Sequence, residues 1–497
     1  MIFLAAILVF AVAMRPARAR LLLARLGAVG IFAAAITSYF WLPFLRDQKY
    51  LQASPYLQSW KYDSYGAQKI LAWLLGGDLI DHGRLPVLTF LLALGVAAAA
   101  ARRTKVATMA IVLFAVWLLL YFGRVTWGPI ADLIPMHEGM LFDRFVGAFE
   151  FAAILLIGIG GEWLWERFSS LRDPWRVAAP AALVVALMIP ALVERYRLYA
   201  VNTRALERTR DALAADSDLA AIVKELKSLP HARVYAGLRT GWGGNFRVGL
   251  LHVYDVLTFN DLDVLEPPYQ AISHNADLVF HFDDRNSAQY GLFDVKYVVA
   301  PPGTSMASFL KPILTTRHFV LYQTSTSGYG QLATQVASGF AGSRGQLFAG
   351  NLAWFRRGDF ASGRFIAWAY RLDTGPIGGM IYPSGAGTGT VSDDLIEPDL
   401  IRLRVDTPAP APLIIKTTYF PKWHLTIDGI PTRSFMASPS FIGVEVPAGK
   451  HIVQAEYESG ALKKILLFAG AIALLCAFAF RRRFPAFDAA LRRRAAR

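Results

Sequence analysis

The chain has 497 residues, 55% of them hydrophobic, with a formal net charge of +14 and one cysteine. That apolar content argues against an ordinary soluble domain, and basic residues clustered between apolar runs point to retention at a membrane rather than nucleic-acid binding. A lone Cys476 excludes an intrachain disulfide, so whatever lies outside the bilayer must be held by core packing.

Seven apolar runs, at 1–14, 26–45, 85–101, 106–122, 145–161, 177–193 and 465–480, predict membrane helices. The first is too short. At about 1.5 Å per residue it stops about 9 Å from the far side. It also begins without the basic leader of a signal peptide, so the expectation is a chain that starts inside a helix of a longer parent. Between the runs stand Arg15, Arg18, Arg20 and Arg25, then Arg102, Arg103 and Lys105, then Arg167, Arg172 and Arg176, and after the last run Arg481, Arg482 and Arg483. These clusters share one side only if every run crosses. Retention of basic links in the cytoplasm then puts 46–84, 123–144 and 194–460 outside.

The predicted architecture is a polytopic α-helical membrane bundle of about seven crossings with a large extracytoplasmic α/β plus β-sandwich region. Its divisions are a transmembrane bundle at 1–193 (six crossings, the first incomplete) and an α/β domain at 194–330. A β-rich sandwich at 331–460, a final membrane helix at 461–483 and a basic cytoplasmic tail at 484–497 complete it.

In the first outer loop, Trp60 and Trp73 suit the headgroup belt, with Lys61 and Asp63 nearby. Asp78, Asp81 and His82 offer two carboxylates and an imidazole to a divalent metal ion, although the DLIDH spacing is common by chance and favours a solvated interfacial loop. In the second, MHEGMLFDRF puts His137, Glu138, Asp143 and Arg144 at the membrane boundary. The planar fork of Arg144 can grip a lipid phosphate, or the side chain can snorkel to anchor its helix. Glu150 lies about 9 Å deeper on the same helix, where a carboxylate needs a protein partner or a wet cavity.

The outer region opens with a charged helix at 202–229, ended by Pro230, and continues with strands at 233–238, 250–257 and 295–300. The Gly-rich stretch 240–249 lacks the spacing of a phosphate cradle and is read as a loop. Residues 325–393, rich in Gly, Ser, Thr and Ala, are read as loops with a few strands. From 397 to 457 the alternation is clear: Ile401, Leu403 and Val405; Trp423, Leu425 and Ile427; Ile442, Val444 and Val446. That period of two, with a turn at Asp428-Gly429, predicts a small antiparallel sandwich. Trp423 is a candidate sugar-stacking platform, with a core position between sheets as the alternative that its neighbours favour.

The strings YGLFDVKYVVAPP (290–302), TTYFPKWHLTIDGIPT (417–432) and FIGVEVPAGKHIVQAEY (441–457), with TSYFWLPFL (37–45) and LFDRF (141–145), resemble YfhO-like bacterial membrane proteins. The resemblance implies a polytopic glycosyltransferase of the GT-C type, located in the bacterial cytoplasmic membrane. Its donor would be a polyprenyl-phosphate-linked sugar and its acceptor an envelope glycan or glycolipid. Such enzymes carry an essential acidic residue in a first outer loop that would precede residue 1 here. The chain therefore resembles the C-terminal part of such a protein: a truncated product, a subunit completed by a partner that supplies membrane helices, or a relative with altered function. A non-catalytic envelope glycan-binding or scaffold protein is the alternative, and a lipid-linked sugar transporter a third. No cofactor follows beyond a candidate divalent metal ion, and the expected partners are membrane lipids, not nucleic acid.

Overall fold

The structure, a computed structural model, describes residues 19–52, 56, 59–134, 137–169, 174–266, 273–370 and 387–479. Two compact units divide them: one within Met1–Ile36, Leu57–Tyr199 and Ala471–Arg497, the other within Thr37–Tyr56 and Ala200–Gly470.

The first unit is helical. Val87–Arg102, Lys105–Trp127 and Phe145–Ser169 pack together around Leu92, Ala99, Leu113, Trp117, Phe149 and Leu156. Glycine sets the spacing. A Cβ on Gly95 would lie 1.8 Å from the Leu156 carbonyl oxygen, and one on Gly160 would lie 2.2 Å from that of Leu91. Small residues at a helix crossing allow backbones to touch where lipid offers no hydrophobic drive for association. Outward-facing Phe90, Leu119, Phe151 and Ile154 are exposed, as are Ile465, Phe468, Ile472 and Leu475 on Ala461–Ala479. Large apolar side chains left exposed on long apolar helices are what a bilayer covers.

Among the described residues, three helical stretches are long and apolar enough to cross a membrane: Lys105–Leu133, Phe142–Phe168 and Ala461–Ala479. Leu23–Ile36 and Ser38–Tyr50 make a fourth if that bent pair counts as one span. The described chain thus has three to four candidate spans where the sequence predicts about seven. Run 85–101 yields a 16-residue helix, about 24 Å long, which is short for a core of about 30 Å. Run 26–45 breaks at Thr37. Run 177–193 forms the early part of the 42-residue helix Pro174–Ala215. Run 1–14 lies outside the described residues, as do Arg15, Arg18, Arg172 and the tail from Arg481.

The second unit is a large extramembranous α/β and β region. Its first sheet runs in the order Arg233–Tyr235, Val295–Ala300, Val320–Gln323, Lys311–Thr315, with the first pair parallel and the others antiparallel. Helix Ser217–Ser228 covers it through Leu219, Ile222 and Leu226. The predicted helix 202–229 is interrupted: Asp216 accepts the Leu219 amide at 2.9 Å and starts a new helix. The predicted strand 250–257 is mostly the helix Val253–Phe259. Its buried residues, Val253, Tyr254, Val256 and Leu257, follow a helical spacing that an apolar run conceals.

A six-stranded and a five-stranded sheet form the sandwich. Leu400–Thr407 and Gly449–Tyr457 turn Ile401, Leu403, Val405, Val453 and Ala455 toward Leu413, Ile415, Ile442 and Val444 of the facing sheet. The turn at Asp428-Gly429 has both φ angles positive, 51° and 81°, and closes the hairpin Trp423–Ile427 and Ile430–Thr432. The six-stranded sheet is buried on its other face too, by helix Arg344–Arg357 and the Tyr290 and Phe293 region. That helix falls within the stretch expected to be loops. Its capping residue Ser343 accepts the Gln346 amide at 3.2 Å, and Gly358 ends it at φ 70°. Residues 371–386 of the same stretch lie outside the described residues.

Candidate functional site

The end of helix Lys105–Trp127 departs from helical geometry at Gly123, with φ 64° and ψ −166°. A Cβ there would stand 2.2 Å from the Asp63 carbonyl oxygen, so glycine lets the helix end press onto the backbone of Ser59–Asp63. Ser64 Oγ donates to the Tyr121 carbonyl at 2.5 Å, and the Ala67 amide donates to Thr126 Oγ1 at 2.7 Å. The segment 63–67 is thereby fastened to the kink.

Directly after the kink comes Arg124. Its guanidinium donates to the His137 carbonyl at 2.5 Å and lies 3.0 Å from His137 Nδ1. Asp63 is 3.7 Å away, Asp132 3.5 Å, and the Phe142 ring centre 5.4 Å. His137 Nδ1 is also 3.0 Å from Asp132. One cation therefore ties the segment at Asp63 to the segment at Asp132 and His137, and both sit at the same end of the packed helices. At the opposite end Arg102 pairs with Glu162, 2.8 Å away, and with Glu166.

Beside this hub is a cleft of about 490 Å³, bordered by Tyr65, Gln68, Lys69, Val125 and Thr126. Lys69 Nζ lies 5.3 Å from the Tyr65 ring centre and 5.0 Å from that of Trp73. Trp60 stacks on Tyr65 with centres 6.0 Å apart. Among the described residues no carboxylate pairs with Lys69, whereas Arg124 is compensated by two. The division of labour is clear in the chemistry. Lys69 is a cation available to a ligand, flanked by aromatic faces that suit lipid headgroups or sugar rings, and Arg124 is an organiser. Asp143 sits on the turn Phe142–Arg144 that packs against Ser59–Asp63, and its buried Oδ1 has no hydrogen-bond partner.

The residues singled out from sequence divide accordingly. His137 and Asp143 belong to this cluster. Arg144 is exposed on the same turn, and Glu150 is half-buried one helical turn and more below it. The side chain of Glu138 lies outside the described residues. Asp81 is buried and spent: it accepts the Leu88 and Thr89 amides, both at 2.9 Å, and the Thr89 hydroxyl at 2.7 Å, capping Val87–Arg102. Among the described residues no three acidic, histidine or cysteine side chains converge to hold a metal ion, and Asp78, Asp81 and His82 are no exception. Trp423 takes the core position that its alternation favours over a sugar platform. Its ring is buried between the sheets, edge-on to Tyr457 at 5.4 Å, because it alternates with Leu425 on the inward side of its strand.

Sequence reading missed Arg124 and Lys69. The signal for the first was Gly123-Arg124 closing an apolar run, the place where a helix can end on a charged hinge. For Lys69 it was the aromatic pair Tyr65 and Trp73 at i−4 and i+4.

Also missed was a buried charged network in the extramembranous unit. Lys416, 1% exposed, donates from Nζ to the Gly291 carbonyl at 2.7 Å, Ser327 Oγ at 2.6 Å and the Gly328 carbonyl at 2.8 Å. Burial lowers its pKa to about 8, with Asp294 and Asp393 opposing the shift. Arg233 bonds Asp263 at 3.1 Å and the Phe293 and Lys416 carbonyls at 2.9 Å. Asp294 is fully buried, and the Thr326 hydroxyl is the side-chain donor set beside its carboxylate. Burial raises its pKa, while Lys416, the neighbouring Thr326 hydroxyl and Arg233 offset part of the rise. A second buried group, His274, lies 3.1 Å from both Gln52 Oε1 and the Lys49 carbonyl and 3.0 Å from the Tyr370 hydroxyl. Burial lowers its pKa to about 4.

Comparison with family models, with curated proteins and with solved structures returns no match.

Proposed function

We propose that the chain is a membrane glycosyltransferase of the GT-C-like kind. In this reading it crosses the bacterial cytoplasmic membrane about seven times and takes its sugar from a polyprenyl-phosphate donor at the outer face. The large region beyond the helices faces the same side and meets an envelope glycan or glycolipid acceptor. The observation that carries the reading is the cleft beside Arg124, where an uncompensated lysine stands among Tyr65, Trp60 and Trp73 at the end of the packed helices. A lipid-linked sugar phosphate has the matching parts: an anion for Lys69, a ring for the aromatic faces and a chain for the bilayer.

Transfer breaks the bond between the sugar and the phosphate oxygen, forms one to the acceptor oxygen and releases the acceptor proton. Lys69 stabilises the departing phosphate, and Asp143, on the turn packed against Ser59–Asp63, takes the proton. Arg124 positions both by holding the two loops together.

The test uses the full chain in lipid vesicles with polyprenyl-phosphate glucose as radiolabelled donor and a membrane glycolipid extract as acceptor. Asp143→Asn is expected to lower turnover by about 100-fold, and Lys69→Gln to raise the donor KM by about tenfold with a smaller change in kcat. Arg144→Ala is expected to change either by less than threefold. Transfer that survives both Asp143→Asn and Lys69→Gln removes the cleft from the mechanism. Absence of transfer by the wild-type chain across the common polyprenyl-phosphate hexoses removes the enzyme reading itself.

A further inference from the structure

The buried network of the extramembranous unit borders a cavity of about 270 Å³, reached between strand Thr390–Ile396 and the segment 326–328. At its floor are Asp294 and Thr326, and at its rim Asp393, Lys296 and His231.

Two features show that the opening is built. Strand Thr390–Ile396 carries a bulge: Asp393 pairs with Leu403 but Leu395 with Arg402, leaving Asp394 as the extra residue. A bulge re-aims side chains, and here it lets 393 through 396 all border the cavity in place of every second residue. Opposite the bulge, Gly328 has φ 79°, and a Cβ on it would meet Asp393 Oδ2 at 2.7 Å. The Asp393 carboxylate is thus drawn over the rim to accept the Tyr329 amide at 3.1 Å.

Asp294 is the second feature. A fully buried carboxylate with only the Thr326 hydroxyl beside it and no hydrogen bond of ordinary geometry is costly, and a native structure keeps such a group where a ligand or function answers it. Lys416 does not answer it, because all three of its N–H bonds go to Gly291, Ser327 and Gly328. Nor does Arg233, which is committed to Asp263 and two carbonyls. The Thr326 hydroxyl, beside Asp294 and itself bordering the cavity, is the remaining donor on that side.

Charge selects the ligand class. Arg233, Lys416 and Lys296 stand against Asp263, Asp294 and Asp393, three formal cations to three formal anions. Asp394 is occupied outside this set by Arg404 at 2.6 Å. A balanced site has no net attraction for an ion, yet it retains carboxylate acceptors that want O–H donors. The volume is below the range of about 300–1,000 Å³ typical of drug-sized sites. It suits one ring or a short polyol.

We propose that this cavity binds a neutral polyhydroxylated ligand the size of one sugar ring, its hydroxyls donated to Asp393 at the rim and, at the floor, to the Thr326 hydroxyl, which the buried Asp294 orients. The site uses the extramembranous unit alone and stands independently of the transfer reading.

The experiment is saturation-transfer NMR and calorimetry on the full chain in detergent micelles. The probes are methyl α-glucoside, methyl α-galactoside, methyl α-mannoside and N-acetylglucosamine, with propylammonium and inorganic phosphate as ionic comparators. Saturable binding of at least one neutral sugar is expected, and neither ion should compete with it. Asp294→Asn is expected to weaken binding by at least tenfold. Leu395→Trp, which fills the cavity from the edge strand and leaves the buried charges in place, is expected to abolish it. If Asp294→Asn does not yield folded protein by thermal melting, Leu395→Trp decides alone. Sugar binding that persists in Leu395→Trp, absence of binding by all four sugars, or preferential binding of propylammonium or phosphate would each overturn the proposal.

Discussion

In the membrane unit Arg102 and Arg124 stand at opposite ends of the packed helices, and the interior between them is Ala, Leu, Phe and Trp closed around Gly95 and Gly160. In the extramembranous unit Lys416, Arg233, Asp294 and His274 stand inside, among strands and loops that supply carbonyls and hydroxyls. The difference follows from the partners each fold can offer. Helices consume their own backbone donors and acceptors, so an ion placed mid-helix in lipid finds nothing to bond. The segment 325–328 and the last turn of helix Ser287–Phe293 leave acceptors free, and a buried lysine can spend its three N–H bonds on two carbonyls and the Ser327 hydroxyl. One unit is held by close approach of backbones, the other by polar groups that must each find a partner.

The strongest way to break this contrast is Lys416→Met, which keeps the shape of the side chain and removes its charge. It strands Gly291, Gly328 and Ser327 and leaves the Asp294 carboxylate uncompensated, so a loss of about 4 kcal/mol is expected in denaturant melts of the full chain. Adding Asp294→Asn should recover part of it. A loss under about 1 kcal/mol would show that the network is not holding the fold.

Next in size is Gly95→Leu in the membrane unit, where the new side chain would have to displace the Leu156 carbonyl. About 3 kcal/mol of destabilisation is expected, read as lower thermal stability in detergent and loss of monodispersity. An unaffected variant would mean that the helices of this unit are not held at backbone contact.

The smallest effect concerns pH. Gln52 Oε1 and the Lys49 carbonyl favour a charged His274 ring, but burial outweighs them and depresses the pKa from 6.5 to about 4. Because the folded value is the lower one, the unfolded chain binds the extra proton first. Stability from this group is complete above about pH 6.5 and is lost as pH falls toward 4. At pH 5 the loss is about 2 kcal/mol. His274→Gln should flatten the stability profile between those limits, and an unchanged slope would assign the acid sensitivity to other groups.

Much of the architecture was legible one segment at a time. Period-two alternation marked the sandwich strands because one face of each is buried, and Asp428-Gly429 announced its own turn. Where two faces are buried, alternation vanishes: Val253–Phe259 read as a strand though it is a helix, and Arg344–Arg357 was hidden by Gly, Ser and Ala composition despite Ser343 and Gln346 at capping-box spacing. The site was legible in part. His137 and Asp143 stood out as charges at a membrane boundary. Arg124 and Lys69 did not, because their roles depend on which loop returns to meet them.

By itself the sequence determined the apolar runs, the basic links between them and the strand faces of the sandwich, all consequences of periodicity and of transfer free energy that act residue by residue. The tertiary structure alone decided that Asp81 is consumed as a helix cap while a buried oxygen of Asp143 has no hydrogen-bond partner, and that Lys416 and Asp294 meet across 122 positions of chain. Hydrogen bonds and charge pairs have partners, and the identity of a partner is a property of the fold.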